Sequence, residues 1–419
     1  MIKSFMKIKR AANDARKRVA GYPEHKRVEL ESRARAKIHK PPIQIKPQTP
    51  HWTPITVVNS IKQINFFGLV HQAGGCGTEA LGAVELLRSH KIAVRMICPS
   101  VEDLKNDCVD YLKRIGVKVE AYQPGLFKSC NVLVSFGEGE EMFNLIRKTK
   151  DRPRYLVYSD CMGWVSDNEV QAHKEGLIDE FFFETRALAD SAGPEIARRA
   201  RKAVSVRHGY KAFINTRSNY FPLRFTLDKP DDVFKVIRVA RDDEEKYHPD
   251  TWRMFCGINA PANRTVKIEI AGWGDNGANK IGDPEDENNT FLGQLNLELH
   301  THIFDPKRMA DIYGGAHALV HIYDYTCEEA LGRAFLEAAA TGVIVIADNR
   351  GGAVQLIRHG ETGYLVDSAD EASYYASHLA FNEELRRSIA SQAYVELTQM
   401  GHGNPALCWT WWEDLLKKA

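Results

Sequence analysis

Short apolar runs alternate with helix-like segments along most of this 419-residue chain, from about residue 52 onward. The apolar runs have the length of β-strands, and the segments between them have helical spacing. Such alternation favours parallel sheets covered by helices, because parallel strands need long crossover connections. The predicted fold class is therefore α/β, with doubly wound layers. The predicted strands are 64–70, 93–97, 131–136, 155–158, 181–183, 233–239, 266–271, 318–322 and 343–347, and the predicted helices include 80–89, 104–115 and 194–203.

The alternation divides into two units. Pro222 and Pro230 separate the first five predicted strands from the last four. A chain of this length, with 44% hydrophobic residues, can bury two or three separate cores. Within the second unit, residues 276–296 are polar and acidic, which predicts an exposed insertion. Residues 409–416 predict a final amphipathic helix.

One segment of the second unit carries two carboxylates, Glu329 and Glu337, on a predicted helix that ends at Gly342 before the strand 343–347. At about 100° per residue, the carboxylates are about 80° apart around the axis and roughly 12 Å apart along it. Both can therefore border one cleft. Acidic residues near a helix start are also favoured by the helix dipole without binding anything. The spacing alone leaves both interpretations open.

The run that follows extends this pattern. Residues 350–366 read Arg-Gly-Gly-Ala-Val-Gln-Leu-Ile-Arg-His-Gly-Glu-Thr-Gly-Tyr-Leu-Val. With Glu329-x7-Glu337, this run resembles the E-x7-E signature and the GG…E.I..G.TG.LV continuation of retaining family-4 glycosyltransferases, with Gln355 where Glu is usual. Several matched positions in order are less expected by chance than one short motif. The resemblance covers roughly residues 60–419 and implies the GT-B fold, in which two Rossmann-like domains face each other across a cleft.

A glycine-rich turn joins the first predicted strand to the first predicted helix. Gly74, Gly75 and Gly77 let the backbone approach a ligand closely, and the helix N-terminus offers unpaired N–H groups to an anion. A turn of this kind is often structural only. Here it is similar to the first glycine loop of the family, which implies that it faces the donor phosphates and the acceptor.

Cationic side chains follow the first strand of the second unit. Arg241 and Lys246 are similar to the R-x4-K pair of the family, and Arg238 is a weaker candidate for the same role. Fixed cations would offset the negative charge that collects on a departing nucleoside diphosphate. The alternative is a surface salt-bridge cluster with the intervening acids. The position upstream of Gly272, in a turn similar to the family's GxG, favours the donor site.

The resemblance implies roles for these residues. The catalytic residues would be Glu329, Arg241, Lys246 and Asp160, where Asp160 stands at a position commonly occupied by His. Glu329 would position the sugar, Glu337 would hold the ribose, and the two cations would stabilise the departing phosphate. The acceptor hydroxyl would attack from the same face through an oxocarbenium-like state. The donor-binding residues would be Gly74, Gly75, Gly77, Arg238, Gly272, Leu331, Gly332, Arg333 and Glu337.

The implied donor is a nucleotide-diphosphate sugar, UDP-linked, and no cofactor is expected. No metal is required, because cationic side chains and a helix N-terminus can take the place of a metal ion. His300 and His302 share a predicted strand face, but without carboxylate or cysteine partners they predict a structural role. The eight cysteines are scattered without a C-x-x-C pair, which predicts reduced thiols.

Three domains are predicted. Residues 1–50 would form a basic helical arm with a proline-rich linker, residues 51–225 with the C-terminal helix 405–419 an acceptor domain, and residues 226–404 the nucleotide-sugar domain. The arm holds 14 Lys and Arg against four acidic residues, which gives +10 in a chain of net charge +1. This asymmetry predicts a polyanionic partner, either nucleic acid or an anionic membrane surface. A solvated or packing helix is the alternative.

The chain lacks an apolar run of about 18 residues, and it begins with Lys and Arg rather than a signal peptide. The prediction is a cytoplasmic protein without a transmembrane segment, able to attach peripherally to nucleic acid or membrane. The predicted function, as the resemblance implies, is retaining transfer of a sugar from a nucleotide-diphosphate donor to an acceptor hydroxyl, with a hydroxylated base in DNA as the acceptor, as for a phage-type transferase. The alternatives are a transferase for a lipid-linked or cell-surface glycan and a non-catalytic module that binds sugar nucleotides or glycans.

Overall fold

The computed structural model describes residues 63–68, 75–136, 139–160, 165–184, 186–207, 213–284, 295–300, 305–327, 329–399 and 401–418. These residues form two parallel β-sheets, one of seven strands and one of six, with helices in the connections. The α/β prediction with two Rossmann-like units is confirmed. The predicted arm, residues 1–50, lies outside the described residues.

The first sheet lies in the N-terminal half of the chain. Its strands are β1 Gln63–Phe67, β2 Ala93–Cys98, β3 Lys118–Ala121, β4 Val132–Phe136, β5 Tyr155–Asp160, β6 Glu180–Phe183 and β7 Val206–Arg207. The order is β3-β2-β1-β4-β5-β6-β7. The helices are α1 Gly75–Ser89, α2 Asp107–Arg114, α3 Gly139–Thr149, α4 Asp167–Lys174 and α5 Arg186–Ala200. Every residue of β4 is buried, as expected for a central strand covered on both faces.

The second sheet has the order β10-β9-β8-β11-β12-β13, and its strands are β8 Val233–Val239, β9 Thr265–Ala271, β10 Asn296–His300, β11 Ala318–His321, β12 Ile344–Asp348 and β13 Gly363–Val366. The helices are α6 Thr251–Cys256, α7 Asp275–Ile281, α8 Pro306–Gly315, α9 Arg333–Ala340, α10 Ala353–Leu356, α11 Ala369–Phe381, α12 Glu383–Gln399 and α13 Pro405–Lys418. Apolar side chains from both faces of this sheet form two core clusters.

Each sheet has a point where the strand order changes direction. In the second sheet, β8 pairs with β9 on one side and with β11 on the other, all in parallel. The chain therefore leaves neighbouring strands toward opposite sides of the sheet. In open α/β sheets this opens a crevice at the carboxyl ends of the two strands, where ligands bind. The loops after β8 and β11 both begin there.

The last helix, α13, packs on the first sheet and not on the second. Trp409 and Trp412 are fully buried in the core of the first sheet, and the Trp412 ring lies 5.7 Å from that of Phe66. Arg207 of β7 ties this helix down, since its Nη1 donates to Asp414 at 2.7 Å and its Nη2 donates to Glu180 at 2.6 Å. In the described part of the chain, no helix combines the length and apolarity that crossing a bilayer demands.

Two sequence-based predictions about local structure are wrong. The helix predicted to carry both Glu329 and Glu337 begins only at Arg333, so Glu329 lies in the preceding loop. There the Glu329 carbonyl accepts a hydrogen bond from Gly352 N at 2.7 Å. The region 276–296, predicted to be an exposed insertion, contributes most of α7 and the first residue of β10, while its residues 285–294 lie outside the described residues. Gly277 of α7 is buried against Tyr247 and Trp273, so this helix is part of the packed domain.

Replacement of Arg207 by Met tests whether the last helix depends on this buried charge. The Arg207 side chain is 3% exposed and that of Glu180 is 1% exposed, so the substitution leaves a buried carboxylate without its cation. We expect a loss of about 3 kcal/mol in the free energy of unfolding, measured by urea denaturation. Arg198→Met is the control, because Arg198 pairs with Glu195 on the surface and should change stability by less than about 0.5 kcal/mol. Equal effects of the two substitutions would contradict this account.

Candidate active site

An ion pair joins the two loops at the crevice of the second sheet. Lys246, in the loop after β8, donates from Nζ to Glu329 Oε1 at 2.5 Å, although the residues are 83 positions apart. The Lys246 side chain is 12% exposed and that of Glu329 is 26% exposed. Nζ also lies 3.5 Å from Cys327 Sγ. The structure therefore brings together two of the four residues predicted to be catalytic.

The environment keeps this lysine charged. Burial favours its neutral form, but the charge of Glu329 and the hydrogen bond to it outweigh burial, so the pKa of Lys246 is raised. An ammonium group held at the mouth of a crevice can bind an anion such as a phosphate oxygen. Its partial exposure leaves one side open to a ligand.

Two buried residues, Tyr247 and Arg238, hold the loop that carries Lys246 in place. Lys246 ends a short 3-10 helix, Glu244–Lys246, and Tyr247 follows it with its side chain fully buried. The Tyr247 hydroxyl donates to Asp242 Oδ1 at 3.0 Å and to the Gly272 carbonyl at 2.8 Å. The Arg238 guanidinium lies over the Tyr247 ring, 4.2 Å from its centroid, and donates to the Lys246 carbonyl. Arg238, predicted as a weak phosphate ligand, is instead a buried support of the loop.

Gly272 shapes the neighbouring turn. It has φ +85°, and a Cβ atom at this position would lie 1.7 Å from the Ala240 carbonyl oxygen. Because Gly272 has no side chain, the backbone at the end of β9 can approach the backbone of the loop after β8 closely. The turn leads into α7, whose first N–H groups, on Asn276 and Gly277, donate to Asp242 at 3.0 and 2.8 Å. The structure therefore gives Gly272 a role in loop geometry.

Glu337 lies where the two sheets approach each other. Its Oε1 accepts from Arg333 Nε at 3.1 Å and its Oε2 accepts from the Tyr313 hydroxyl at 3.1 Å. Burial raises the pKa of Glu337, and the charge of Arg333 opposes this shift. The Arg333 Nη2 donates to the carbonyl of Thr78, in the first turns of α1, at 3.1 Å. This contact joins the helix that follows the glycine-rich turn to the second sheet.

The N-terminus of α9 directly follows the loop that carries Glu329. Gly332 is the N-cap and has φ +69°, and no side chain caps the helix. A Cβ on Gly332 would lie 2.3 Å from the ring of Phe335, so only glycine fits this entry. Leu331 is buried in the core, so its side chain is not available to a ligand. The uncapped N–H groups of α9 remain as donors for an anion.

Arg241, which was also predicted to be catalytic, is not part of the Lys246–Glu329 ion pair. Arg241 is 57% exposed and its Nη2 pairs with Asp243 at 2.9 Å, which is the surface salt bridge that the sequence offered as the alternative. Gly75 and Gly77 lie in the first turn of α1, and Gly74 lies outside the described residues. Asp160 ends β5, but its side chain also lies outside the described part of the chain.

The sequence reasoning missed the residues that β11 brings to the crevice. His321 and Tyr323 are each 2% exposed, and neither the two His321 ring nitrogens nor the Tyr323 hydroxyl finds a hydrogen-bond partner among the described residues. Tyr323 N donates to Asp348 at 2.8 Å, and Arg350 bonds to the Tyr323 and Asp324 carbonyls. Their place at the end of a buried strand, or just after it, was the available signal.

The predicted structural role of His300 rested on a lack of carboxylate partners, and that premise is wrong. His300 Nε2 lies 2.5 Å from Glu269 Oε1 and 3.6 Å from Glu298 Oε1. These three residues are the one group in the described ranges whose side chains converge closely enough to hold a metal ion. However, the cluster already contains cations, since Lys235 pairs with Glu269 and Lys267 pairs with Glu298. These contacts favour an ion-pair network.

Comparison with known sequences points to the same part of the chain. Residues 221–395 match the family described as glycosyl transferases group 1. A protein of Mycobacterium tuberculosis, named GDP-mannose-dependent alpha-(1-6)-phosphatidylinositol monomannoside mannosyltransferase, is 37% identical over 87 residues. The match covers 18% of this chain and 22% of that relative, so the chain matches about a fifth of the relative's length.

Solved structures resemble nearly the whole described fold. HepE of Anabaena in complex with UDP-glucose has a TM-score of 0.62 at 15% identity, covering 85% of this chain and 99% of that one. Sucrose-phosphate synthase of Thermosynechococcus elongatus has a TM-score of 0.62 at 16% identity, covering 85% of this chain and 100% of that one. At such identities the likeness shows the fold alone. The fold is GT-B, as predicted.

Replacement of Gly272 by Ala tests the loop geometry. The new Cβ would meet the Ala240 carbonyl at a position where φ is also positive, so we expect a loss of at least about 2 kcal/mol in the free energy of unfolding. Gly360→Ala is the control, because Gly360 has φ +76° but no atom within 4 Å of the added Cβ. It should cost about 1 kcal/mol, the backbone contribution alone. Urea unfolding of both variants measures the difference, and equal losses would show that the close contact is unimportant.

Proposed function

We propose that this protein transfers a sugar from a nucleoside diphosphate donor to an acceptor hydroxyl, with retention of configuration. The observation that carries the proposal is the Lys246–Glu329 ion pair, which lies beside the uncapped N-terminus of α9 at the crevice of the second sheet. The match of residues 221–395 to group 1 glycosyl transferases supports the same class of reaction.

In the proposed reaction, the bond between the anomeric carbon of the sugar and the diphosphate oxygen breaks. The acceptor oxygen bonds to that carbon from the same face, and its proton passes to the departing diphosphate. Lys246 and the N–H groups of α9 would stabilise the negative charge that develops on the leaving oxygens, and Glu329 would position the sugar. A group that meets charge only as the bond breaks accelerates the reaction.

Glu337 is the proposed ribose ligand. Its oxygens accept hydrogen bonds from the side chains of Arg333, Tyr313 and Thr78. A carboxylate has about four acceptor positions, so a ribose hydroxyl can be added while these contacts remain. In this role, Arg333 and Tyr313 would fix the orientation of the carboxylate before the donor arrives.

The donor is proposed to be UDP-linked, and the reaction to need no divalent ion. UDP is the nucleotide in the HepE structure, whereas the mycobacterial relative is named for GDP-mannose, so both nucleotides belong in the assay. The proposed independence of metal rests on Lys246 and the α9 N-terminus as the source of positive charge. Full activity in the presence of EDTA would support it.

For the acceptor, a lipid-linked or cell-surface glycan is the first candidate, because the mycobacterial relative is named for a lipid acceptor. A hydroxylated base in DNA is the second, because the basic residues 1–50 could hold phosphates. Flotation with anionic liposomes and gel shift with DNA distinguish the two. A non-catalytic binding module would bind the donor without transferring or hydrolysing it.

Glu329→Gln and Lys246→Ala test the catalytic site. We expect both variants to fold and to lose sugar transfer by about 10²-fold or more, because each removes a charge that acts on the reacting groups. Donor hydrolysis or transfer, with UDP- and GDP-sugars, measures the effect.

The matched controls are Lys267→Ala and Glu298→Gln, which break another ion pair of the same sheet, with a separation of 2.5 Å, away from the crevice. They should retain activity. Ordinary turnover by folded Glu329→Gln or Lys246→Ala variants would refute the proposed site.

Deletion of residues 1–50 tests the proposed role of the basic segment in acceptor binding. We expect donor hydrolysis to continue while affinity for an anionic acceptor or surface falls, and the loss should shrink as salt rises, since salt weakens such contacts. Binding to liposomes and DNA across a salt series measures this. Unchanged affinity and salt dependence, or unfolding of the truncated protein, would remove the assigned role.

A further inference from the structure

Arg238 is the most unusual buried charge of the second sheet. It is the penultimate residue of β8, is 1% exposed, and has no carboxylate within ion-pair distance among the described residues. Its Nε and Nη1 lack a hydrogen-bond acceptor in the described part of the chain. A buried cation without a paired anion is costly. A neutral apolar residue would suit this strand position better if packing were the only requirement.

The contacts that Arg238 does make lead to one residue. Its Nη2 donates to the Lys246 carbonyl, and its plane covers one face of the Tyr247 ring. Trp273 contacts the same ring edge-on, with centroids 5.6 Å apart. The hydroxyl of Tyr247 is bound to Asp242 and to the Gly272 carbonyl. Arg238 thus fixes the main chain at the residue whose ammonium group faces the crevice.

The charge of Arg238 is only partly offset nearby. Asp242, the carboxylate on the same loop, acts on Arg238 through its charge, but its hydrogen bonds come from the N–H groups of α7 and from Tyr247. On the neighbouring strand, burial together with the charges of Arg238 and Lys246 holds the pKa of His321 well below its usual range. His321 therefore stays neutral. The positive charge of Arg238 adds to that of Lys246 through a poorly screened interior.

We propose that Arg238 is a positioning residue for the donor diphosphate, acting through Lys246. It holds the Lys246 main chain in place and supplies a fixed positive charge behind it, without touching the ligand. This inference rests on the proposed function. Because Lys246 is the cation at the crevice, the effect concerns the terminal phosphate of a nucleoside diphosphate, which a nucleoside monophosphate lacks.

The test compares UDP and UMP binding in three variants by titration calorimetry at fixed salt. Arg238→Met removes the charge and the donors, Arg238→Gln keeps a donor without the charge, and Arg238→Lys keeps both a charge and a donor. We expect Arg238→Met and Arg238→Gln to weaken UDP binding about tenfold, a change of about 1.4 kcal/mol, while UMP binding changes less than about threefold. The Arg238→Lys variant should retain UDP binding within about threefold of the wild type.

Arg253→Met is the control, because Arg253 pairs with Asp250 at the surface of α6 and should leave both affinities unchanged. If Arg238→Met and Arg238→Gln weakened the binding of UDP and of UMP equally, the inference would be overturned, because this result would indicate general loosening of the loop. Unchanged UDP affinity in the Gln variant would overturn it as well. If neither neutral variant folds, Arg238→Lys decides alone, since loss of its preference for UDP over UMP contradicts the role of the charge.

The same measurements separate this inference from the proposed function. If the wild-type protein binds neither UDP nor GDP and transfers no sugar, the proposed function fails and the inference fails with it. If the wild type binds and transfers while Arg238→Met and Arg238→Gln keep their preference for the diphosphate, only the inference fails.

Discussion

The parallel pairing of β8 with β11 is the constraint on which the candidate site depends. Parallel neighbours end at the same edge of a sheet, and here the two strands are separated in sequence by β9, β10 and their connections. Their loops therefore meet although they are far apart in the chain. This meeting places Lys246 against Glu329 and directs both toward the crevice at the change of strand order.

Several charged side chains lie near that edge of the sheet, and they differ in their partners and in their exposure to solvent. Lys246 is paired with a carboxylate and partly open to solvent, so it can exchange its partner for a ligand. Arg238 is closed off beneath it and contacts a carbonyl and an aromatic ring. Glu337 is buried but hydrogen-bonded through both oxygens. Lys246 is therefore the partly exposed charge of this group, whereas Arg238 and Glu337 are buried.

Contacts of Arg333 and of α13 connect the two sheets. Arg333 links the second sheet to the carbonyl of Thr78 in α1, and α13 returns from the second unit to pack on the first. The ribose ligand proposed for the donor, Glu337, thus shares a hydrogen-bond network with the helix that follows the glycine-rich turn.

Sequence patterns identified the helix-strand order because local periodicity reports burial. The apolar runs at β1, β4, β8 and β12 gave strands at the predicted places, whereas β3 and β10 carry too few apolar residues to stand out and β13 is only four residues long. The motif resemblance assigned Glu329 and Lys246 to one site but did not predict that they form an ion pair. The sequence could not show that Glu329 lies before the helix, because Gly332 adopts a left-handed conformation only in the packed loop, where Phe335 excludes a side chain.

What the sequence alone determined was the α/β class, the two units and the candidate residues of the second one, since these follow from spacing and residue type. Only the tertiary structure decided which candidates act together. Arg241 and Arg238 are three positions apart, yet one is exposed beside Asp243 and the other is buried under Lys246. The difference arises because alternate residues of a strand face opposite sides, while a residue beyond its end is free of that rule. Burial and pairing depend on strands that meet only after folding.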